Sequence, residues 1–249
     1  MKKIKNILKA NPKLYRIAKK FQELLPDKLM QFQHHLEIIG GKAVCLDMIP
    51  HGSTIISGGV GNDIEFERQL IVRKGVKVIG FDPTDTAENF ISSFNDAAVK
   101  SNYFFNKKAI SEKSENIRIY YGDDDFMVST SSQHQNVLDQ NSKLCEAVAF
   151  EEILHQYPNA SYVKLDIEGS EYAIIERLQN INISQISIEF HHHCDPNYTI
   201  LDTIKCVEKL KNMGYDVFDY GEYHGRKRRL PRYISKWSDL NCEFLFIKR

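Results

Sequence analysis

The chain has 249 residues and a mass of 28.9 kDa, the length of one large domain or of one domain with an appendage. Hydrophobic residues make up 42% and charged residues 27% of it, a composition typical of a globular protein with a sizeable core. Lys and Arg number 33, as do Asp and Glu, so the formal net charge is zero. This balance argues against a general nucleic-acid-binding protein, because such a protein needs excess positive charge to hold phosphates.

The sequence also disfavours a membrane-spanning protein, a secreted protein, a disulfide-stapled protein and a zinc knuckle. No apolar run approaches the ~20 residues of a membrane-spanning helix, and the Lys-rich N-terminus lacks the apolar core of a secretory signal. The five cysteines are scattered and form no CxxC pair, which argues against a disulfide framework and against a zinc knuckle. The expected location is therefore the reducing cytoplasm.

Residues 1–40 are predicted to form an N-terminal helical extension, and residues 41–249 the main domain. Apolar residues recur at helical spacing from Ile4 to Leu25, with a break at Pro12. The first twenty residues hold eight Lys or Arg and no acid. A basic amphipathic helix can lie on an anionic membrane surface, but the short, interrupted apolar stripe favours a helix packed on the domain with its basic face in solvent.

From residue 42 onward, strand-like and helix-like segments alternate. Strands are predicted at 53–57, 77–81, 103–110, 162–167, 185–190, 215–220 and 242–248, with two more at 117–121 and 145–150 beside a polar loop at 122–142. Helices are predicted at 63–74, 83–94, 169–178 and 200–213. This alternation predicts an α/β fold with a doubly wound, mostly parallel sheet that is covered on both faces.

A glycine-rich turn, SGGVGND at residues 57–63, follows the first predicted strand and opens the first helix. Glycines let such a turn tighten and let a ligand approach the backbone at the helix N-terminus. Asp82 ends the second predicted strand, 21 positions after Gly61, where an acid holds ribose hydroxyls in nucleotide-binding folds. The two features favour an adenosine-containing ligand over the alternative, a structural turn with a capping Asp.

Carboxylates are concentrated after the predicted strand at 162–167. The segment KLDIEGSE places Asp166, Glu168 and Glu171 within six residues. Such a concentration at a strand end is costly unless the groups pair, bind a cation or meet a substrate.

The next strand ends in a run of histidines. Strand alternation puts Glu189, His191 and His193 on one face and His192 on the other. Imidazoles beside carboxylates suit the removal of a proton from an alcohol. They would also suit a divalent metal, with Asp166, Glu189 and His191 as its ligands. The pattern favours a functional over a purely structural role.

These segments together resemble the FkbM family, whose members are S-adenosylmethionine-dependent O-methyltransferases with the class I methyltransferase fold. The resemblance rests on SGGVGND, on FDPT after the second strand, on KLDIEGSE and on IEFHHH, and it spans roughly residues 50–249. It implies a seven-stranded sheet of order 3-2-1-4-5-7-6 with the last strand antiparallel. It also implies methylation of a hydroxyl on a sugar nucleotide or glycan precursor in surface polysaccharide biosynthesis.

The resemblance also assigns residues to the cofactor. Gly59, Gly61 and Asp63 would line its methionine end, Asp82 would take the ribose hydroxyls, and Asp166 would lie between cofactor and acceptor. Many class I enzymes carry an acid where this chain has Ser57 and a third glycine where it has Asp63, so Asp63 is the candidate partner of the cofactor's ammonium. The predicted cofactor-binding set is Ser57, Gly58, Gly59, Gly61, Asp63, Asp82, Pro83 and Asp166.

The expected catalytic residues are Asp166, His191 and His192. A histidine of this cluster is the expected base, because imidazole titrates near neutral pH. Glu168 and Glu189 are expected to contact the acceptor.

A basic segment at 225–232 includes Arg228 and Arg229. Because Arg pairs bidentately with phosphate, this segment is a candidate clamp for the diphosphate of a nucleotide-linked sugar. The alternative is a solvated basic loop.

Three other classes of function stay open at this stage. A nicotinamide-dependent oxidoreductase shares the glycine turn and the acid but not KLDIEGSE. A metal-dependent hydrolase built on the histidines would leave the glycine turn without a role. A non-catalytic binding domain is favoured by no motif.

Overall fold

The computed structural model describes residues 35–123, 128–192, 194–220 and 242–249. Three sequence predictions lie outside these residues. They are the basic helix within residues 1–34, the orientation of His193 and the phosphate clamp at Arg228 and Arg229.

The described chain contains thirteen strands and six helices, apart from one short 3₁₀ turn at Leu46–Met48. The strands are β1 (Leu36–Ile39), β2 (Lys42–Cys45), β3 (Thr54–Gly58), β4 (Lys77–Phe81), β5 (Tyr103–Asn106), β6 (Ala109–Ser111), β7 (Glu115–Tyr121), β8 (Val128–Ser129), β9 (Leu138–Ala149), β10 (Ala160–Leu165), β11 (Gln185–Phe190), β12 (Tyr215–Asp219) and β13 (Cys242–Lys248). The helices are α1 (Glu65–Lys74), α2 (Asp85–Ser93), α3 (Ala97–Asn102), α4 (Phe150–Gln156), α5 (Glu171–Arg177) and α6 (Ile200–Asn212).

Seven strands form the main sheet in the order β12-β13-β11-β10-β3-β4-β5. The pairs β11–β10, β10–β3, β3–β4 and β4–β5 are parallel, and β13 is antiparallel to both of its neighbours. Numbered within this sheet along the chain and read from the β5 edge, the order is 3-2-1-4-5-7-6. The predicted fold class and strand order are confirmed.

Apolar side chains on both faces of the sheet explain why these segments form central strands. All six residues of β10 are buried, as are five of the six in β11, which is the pattern of a parallel strand covered by helices on each side. One core packs α4, α5 and α6 against the sheet, and the other packs α1, α2 and the β1–β2 hairpin against its opposite face. None of the described helices combines the length and the apolar character that crossing a bilayer requires.

The β1–β2 hairpin corrects the prediction that the helical extension reaches residue 40. Residues Leu36–Ile39 are a strand, and the chain reverses through Gly40 and Gly41, whose φ angles are 50° and 76°. A two-residue Gly-Gly loop is a favoured hairpin connection because both positions need positive φ. The hairpin is fixed to the sheet by Gln185, whose side chain exchanges hydrogen bonds with both backbone groups of Cys45.

The predicted strand at 103–110 is also corrected, because it divides into two. β5 stays in the main sheet, whereas β6 joins a second sheet of order β6-β9-β7-β8. The division falls at Lys107 and Lys108, whose ammonium groups pair with exposed acids. The strands predicted at 117–121 and 145–150 belong to this second sheet as β7 and β9, although Phe150 itself begins α4.

Candidate functional site

A pocket of about 280 Å³ opens at the carboxyl ends of β3, β4 and β10, where ligands bind in open α/β sheets. The second sheet closes one side of it with Ile110, Ile119 and Val128. Ser57 and Gly58 are buried beneath the pocket and do not line it. The predicted site residues that line it are Gly59, Gly61, Asp63, Asp82, Pro83, Asp166 and Glu168.

The glycine loop lies tightly against the end of β10. Gly59 and Gly61 have φ angles of 77° and 56°, a region that glycine enters without steric cost. A Cβ atom on Gly59 would lie 1.8 Å from the backbone oxygen of Asp166. Lys164 secures this contact, since its Nζ donates to the Gly59 carbonyl at 2.5 Å. Glycine at position 59 is therefore required for the loop to approach β10.

Asp82 lies in the pocket wall and holds the glycine loop. Its Oδ2 accepts from the backbone N–H groups of Val60 at 2.9 Å and Gly61 at 3.0 Å. Its Oδ1 accepts from the N–H and the hydroxyl of Thr84 at 2.9 Å and 2.6 Å. Since a carboxylate has about four lone-pair sites, the chain itself supplies a full set of donors to Asp82.

A second buried carboxylate reaches the loop from α1. The Ser57 hydroxyl donates to Glu67 Oε1 at 2.5 Å, and Glu67 is 2% exposed and lines the pocket. Asp63 instead accepts from the backbone N–H of Glu65 at the exposed start of α1. Glu67 was not among the predicted site residues, although its spacing from Leu70 puts it on the apolar face of the helix. The carboxylate beside Ser57 is Glu67, whereas Asp63, the predicted partner of the cofactor's ammonium, lines the pocket at the start of α1.

Three carboxylates converge on Lys42, the first residue of β2. Its Nζ donates to Asp166 Oδ2 at 3.2 Å, to Glu189 Oε2 at 3.0 Å and to Glu243 Oε1 at 2.8 Å. Burial alone would lower the pKa of Lys42, but these carboxylates raise it well above its ordinary value. Lys42 and Glu243 were not predicted as site residues because no local pattern in the sequence links them to Asp166.

His191 is the centre of a ring of carboxylates. Its Nε2 lies 3.4 Å from Glu168 Oε1, 3.8 Å from Glu189 Oε1 and 4.0 Å from Asp166 Oδ1. Its Nδ1 lies 3.4 Å from Glu171 Oε1. Burial would lower the pKa of His191, but Glu168 and Glu171 raise it well above its ordinary value. The predicted proximity of imidazole and carboxylates on neighbouring strand ends is present in the structure.

His192 points to the other side of the sheet, as strand alternation predicts. Its Nδ1 lies 3.0 Å from the hydroxyl of Thr203 on α6, and that hydroxyl lies 3.1 Å from the Tyr172 hydroxyl on α5. Of the two histidines predicted as candidate bases, the structure brings His191 to the carboxylates and leaves His192 among helices.

Asp166 and Glu189, the two carboxylates that lie near both Lys42 and His191, differ in their proton affinity. Burial would raise the pKa of Asp166, but Lys42 and Lys164 lower it below its ordinary value. Burial raises the pKa of Glu189 to about 7, and the charge of Asp166 acts in the same direction. Asp166 is therefore ionised at neutral pH, whereas Glu189 readily holds a proton there.

Glu168 has an unusual backbone conformation. Its φ angle is 54°, and no other non-glycine residue in the described ranges has a positive φ, a conformation that the surrounding structure must enforce. Its backbone oxygen accepts from the Ser129 hydroxyl at 2.7 Å, and its Oε2 lies 3.4 Å from His134 Nε2. Burial would lower the pKa of His134, but Cys194 and Glu168 raise it to about 9. The sequence analysis missed His134, which falls in the predicted polar loop.

Comparison with known proteins gives no match to a protein family or to a curated protein. Among solved structures, the chain is similar to a precorrin-6y C5,15-methyltransferase from Geobacter metallireducens, with a TM-score of 0.42, 12% identity and coverage of 82% of this chain and 84% of that one. It is also similar to an rRNA methylase from Streptococcus thermophilus, with a TM-score of 0.40, 11% identity and coverage of 81% and 90%.

The strand order, rather than these scores, defines the fold. A seven-stranded sheet of order 3-2-1-4-5-7-6 with an antiparallel seventh strand is the class I methyltransferase fold. In this fold the glycine loop after β3 and the acidic segment after β10 lie on the two sides of the point where the strand order reverses.

Proposed function

We propose that this chain is an S-adenosylmethionine-dependent O-methyltransferase that acts on a hydroxyl group of a small acceptor. The observation that carries the proposal is the contact between the glycine loop at Gly59 and the acidic segment at Asp166, which together form one wall of the pocket. This arrangement places a loop suited to a cofactor beside carboxylates suited to an alcohol.

The pocket residues fit such a cofactor. When bound, S-adenosylmethionine supplies an electrophilic methyl group on a sulfonium. Gly59 and Gly61 line the pocket at the loop, and the buried carboxylate of Glu67 is a partner for an ammonium group. The side chains of Ile110 and Ile119 form an apolar wall on which an adenine face can lie.

Asp166 is the proposed partner of the acceptor's hydroxyl group. Its carboxylate lines the pocket, while Glu189 and His191 do not line it. This carboxylate, whose Oδ2 also accepts from Lys42, would take the acceptor's proton. The cofactor would supply its methyl group to the acceptor oxygen, and the electron pair of the S–C bond would remain on sulfur. His191 acts from behind Asp166 as a positioning residue.

The proposed acceptor is a nucleotide-linked sugar or a related glycan precursor. The resemblance of SGGVGND, FDPT, KLDIEGSE and IEFHHH to the FkbM family supports this choice. Glu168, which lines the pocket next to Asp166, is the second candidate contact for sugar hydroxyls, and Arg228 and Arg229 are the proposed diphosphate partners.

The test is methyl transfer from labelled S-adenosylmethionine to a panel of nucleotide-linked sugars. We expect label in at least one sugar with the parent and with Glu88→Gln, which alters an exposed carboxylate on α2 that pairs with Lys107. Asp166→Asn should transfer at least about a hundredfold more slowly, the usual cost of removing a catalytic proton acceptor. Equal rates for Asp166→Asn and the parent would contradict the role of Asp166. Labelling of none of the sugars would contradict the acceptor class.

A further inference from the structure

The ring nitrogens of His191 are buried and have no hydrogen-bond partner. The residue is 1% exposed, and the surrounding carboxylate oxygens lie at 3.4 to 4.0 Å without hydrogen-bonding geometry. Buried polar atoms in native proteins nearly always have partners. The Nε2 atom of His191 points toward Asp166, Glu168 and Glu189, and Glu168 Oε2 is likewise buried without a hydrogen bond.

We infer that Asp166, Glu189 and His191 bind one divalent cation, with Glu168 as an available fourth donor. One oxygen of each of the first two and His191 Nε2 all lie within 4.8 Å of one another. Two ligands at ~2.1 Å from one cation are at most ~4.2 Å apart, and the 3.8 Å and 4.0 Å separations from Nε2 are inside that limit. A small inward movement of the carboxylates completes the site.

Lys42 does not compete for the same oxygens. Its ammonium contacts Asp166 Oδ2 and Glu189 Oε2, whereas Asp166 Oδ1 and Glu189 Oε1 are the oxygens near His191. Lys42 can therefore fix the outer side of both carboxylates while the inner side binds the cation. Such support by neighbouring groups is usual at metal sites because it orients the ligands.

The chemistry of the donor atoms also favours a cation. The mixture of carboxylate oxygens and one imidazole nitrogen suits Mn²⁺ and neighbouring first-row ions.

The role of the cation rests on the proposed methyl transfer. A hydroxyl that enters beside Asp166 would reach the cation and lose its proton more easily, since bound metal ions lower the pKa of coordinated oxygen acids. An acceptor with two adjacent oxygens would bind the cation through both of them. The inference therefore narrows the acceptor to a vicinal diol or a hydroxy acid, both of which occur in sugars.

The experiment is a titration of the metal-depleted protein with MnCl₂, followed through the electron paramagnetic resonance signal of free Mn²⁺, without cofactor or acceptor. We expect one Mn²⁺ per chain with micromolar affinity. Glu189→Gln and His191→Ala should each weaken binding at least about tenfold. Glu88→Gln, which alters an exposed carboxylate on α2, should bind Mn²⁺ as the parent does. Circular dichroism checks the fold of each variant.

Two outcomes would overturn the inference. One is a parent protein that leaves the free Mn²⁺ signal unchanged at millimolar protein, a result that does not depend on any variant folding. The other is equal Mn²⁺ affinity in the parent, Glu189→Gln and Glu88→Gln. Calorimetry with S-adenosylhomocysteine in EDTA tests the cofactor site separately, so a failed metal site and a failed methyltransferase are distinguishable.

Discussion

The backbone oxygen of Asp166 occupies the space into which any side chain at Gly59 would extend, since a Cβ atom there would be 1.8 Å away. The loop proposed to hold the cofactor and the acid proposed to meet the acceptor are therefore in direct contact. Their relative position is fixed by backbone rather than by flexible side chains. The geometry of the site depends on this contact.

Gly59→Ala should disrupt the site much more than a matched glycine substitution. Gly52→Ala is the control, because Gly52 also has a positive φ, 71°, but a Cβ atom there would meet nothing within 4 Å beyond its chain neighbours. We expect Gly52→Ala to cost about 1–2 kcal/mol of backbone strain. Gly59→Ala adds the clash and should abolish binding of S-adenosylhomocysteine. Similar unfolding curves and cofactor affinities for the two variants would contradict this account.

Asp82→Asn should weaken both the loop and cofactor binding. The amide cannot accept from all the donors that now meet Asp82, and each buried donor left without a partner costs ~1–3 kcal/mol. Urea denaturation and calorimetry with S-adenosylhomocysteine measure the two effects. We expect the free energy of unfolding to decrease and the affinity for S-adenosylhomocysteine to fall roughly tenfold to a hundredfold. If neither changes in the variant, Asp82 does not hold the loop.

Glu67→Gln tests the buried carboxylate beside Ser57. The variant keeps the shape of the side chain but loses its charge, so it should lose the charge-assisted part of an ammonium contact, ~1.5–3 kcal/mol. The affinity for S-adenosylhomocysteine should fall about tenfold to a hundredfold, while Glu88→Gln should leave it unchanged. If Glu67→Gln keeps its affinity for S-adenosylhomocysteine, Glu67 is not the partner of the ammonium group, and Asp63, the residue predicted from the sequence, is the remaining candidate.

His134 should make stability depend on pH. The pKa of His134 is raised from 6.5 to about 9, so its contribution is fully present below pH 6.5 and is lost as the pH rises through 9. His134→Gln should therefore destabilise the fold by about 2–3 kcal/mol at pH 6, and by much less at pH 9.5. Urea denaturation at both pH values, with the exposed His155→Gln as control, measures this. An equal loss of unfolding free energy at the two pH values would contradict the assignment of the raised pKa to His134.

His191 and His192 should behave differently although they are adjacent. His191→Ala should reduce kcat roughly tenfold to a hundredfold while affinity for S-adenosylhomocysteine is kept, because His191 positions Asp166. His192→Ala should instead lower stability by about 1–2 kcal/mol, through the lost bond to Thr203, and retain kcat. The comparison uses the acceptor found in the labelling screen. If His192→Ala is the slower enzyme, the assignment of His191 to the site is wrong.

The main sheet was predictable because its strands are recognisable from their own residues. Three predicted strands, at 77–81, 185–190 and 242–248, match β4, β11 and β13 residue for residue. Each is a short run of apolar or β-forming residues, as expected for a strand of a sheet that is covered on both faces. The hairpin before β3 was missed because the helical extension was carried to residue 40, into the Gly40-Gly41 turn, which is itself a hairpin signal.

The site was predictable only where its residues follow strands. Asp166, Glu168, Glu189 and His191 lie at strand ends, and parallel topology brings neighbouring strand ends together. Lys42, His134 and Glu243 come from a hairpin, a loop and an antiparallel strand that are remote in sequence from Asp166. Their contacts form only through tertiary packing. No spacing rule could therefore have linked them to the cluster.

The central claim is that the pocket binds S-adenosylmethionine, and isothermal calorimetry of the parent protein tests it most directly. The measurement compares S-adenosylhomocysteine with NAD⁺, the cofactor of the oxidoreductase alternative. We predict binding of one S-adenosylhomocysteine per chain and no measurable heat with NAD⁺. Binding of NAD⁺, or no binding of S-adenosylhomocysteine by the folded protein, would contradict the account.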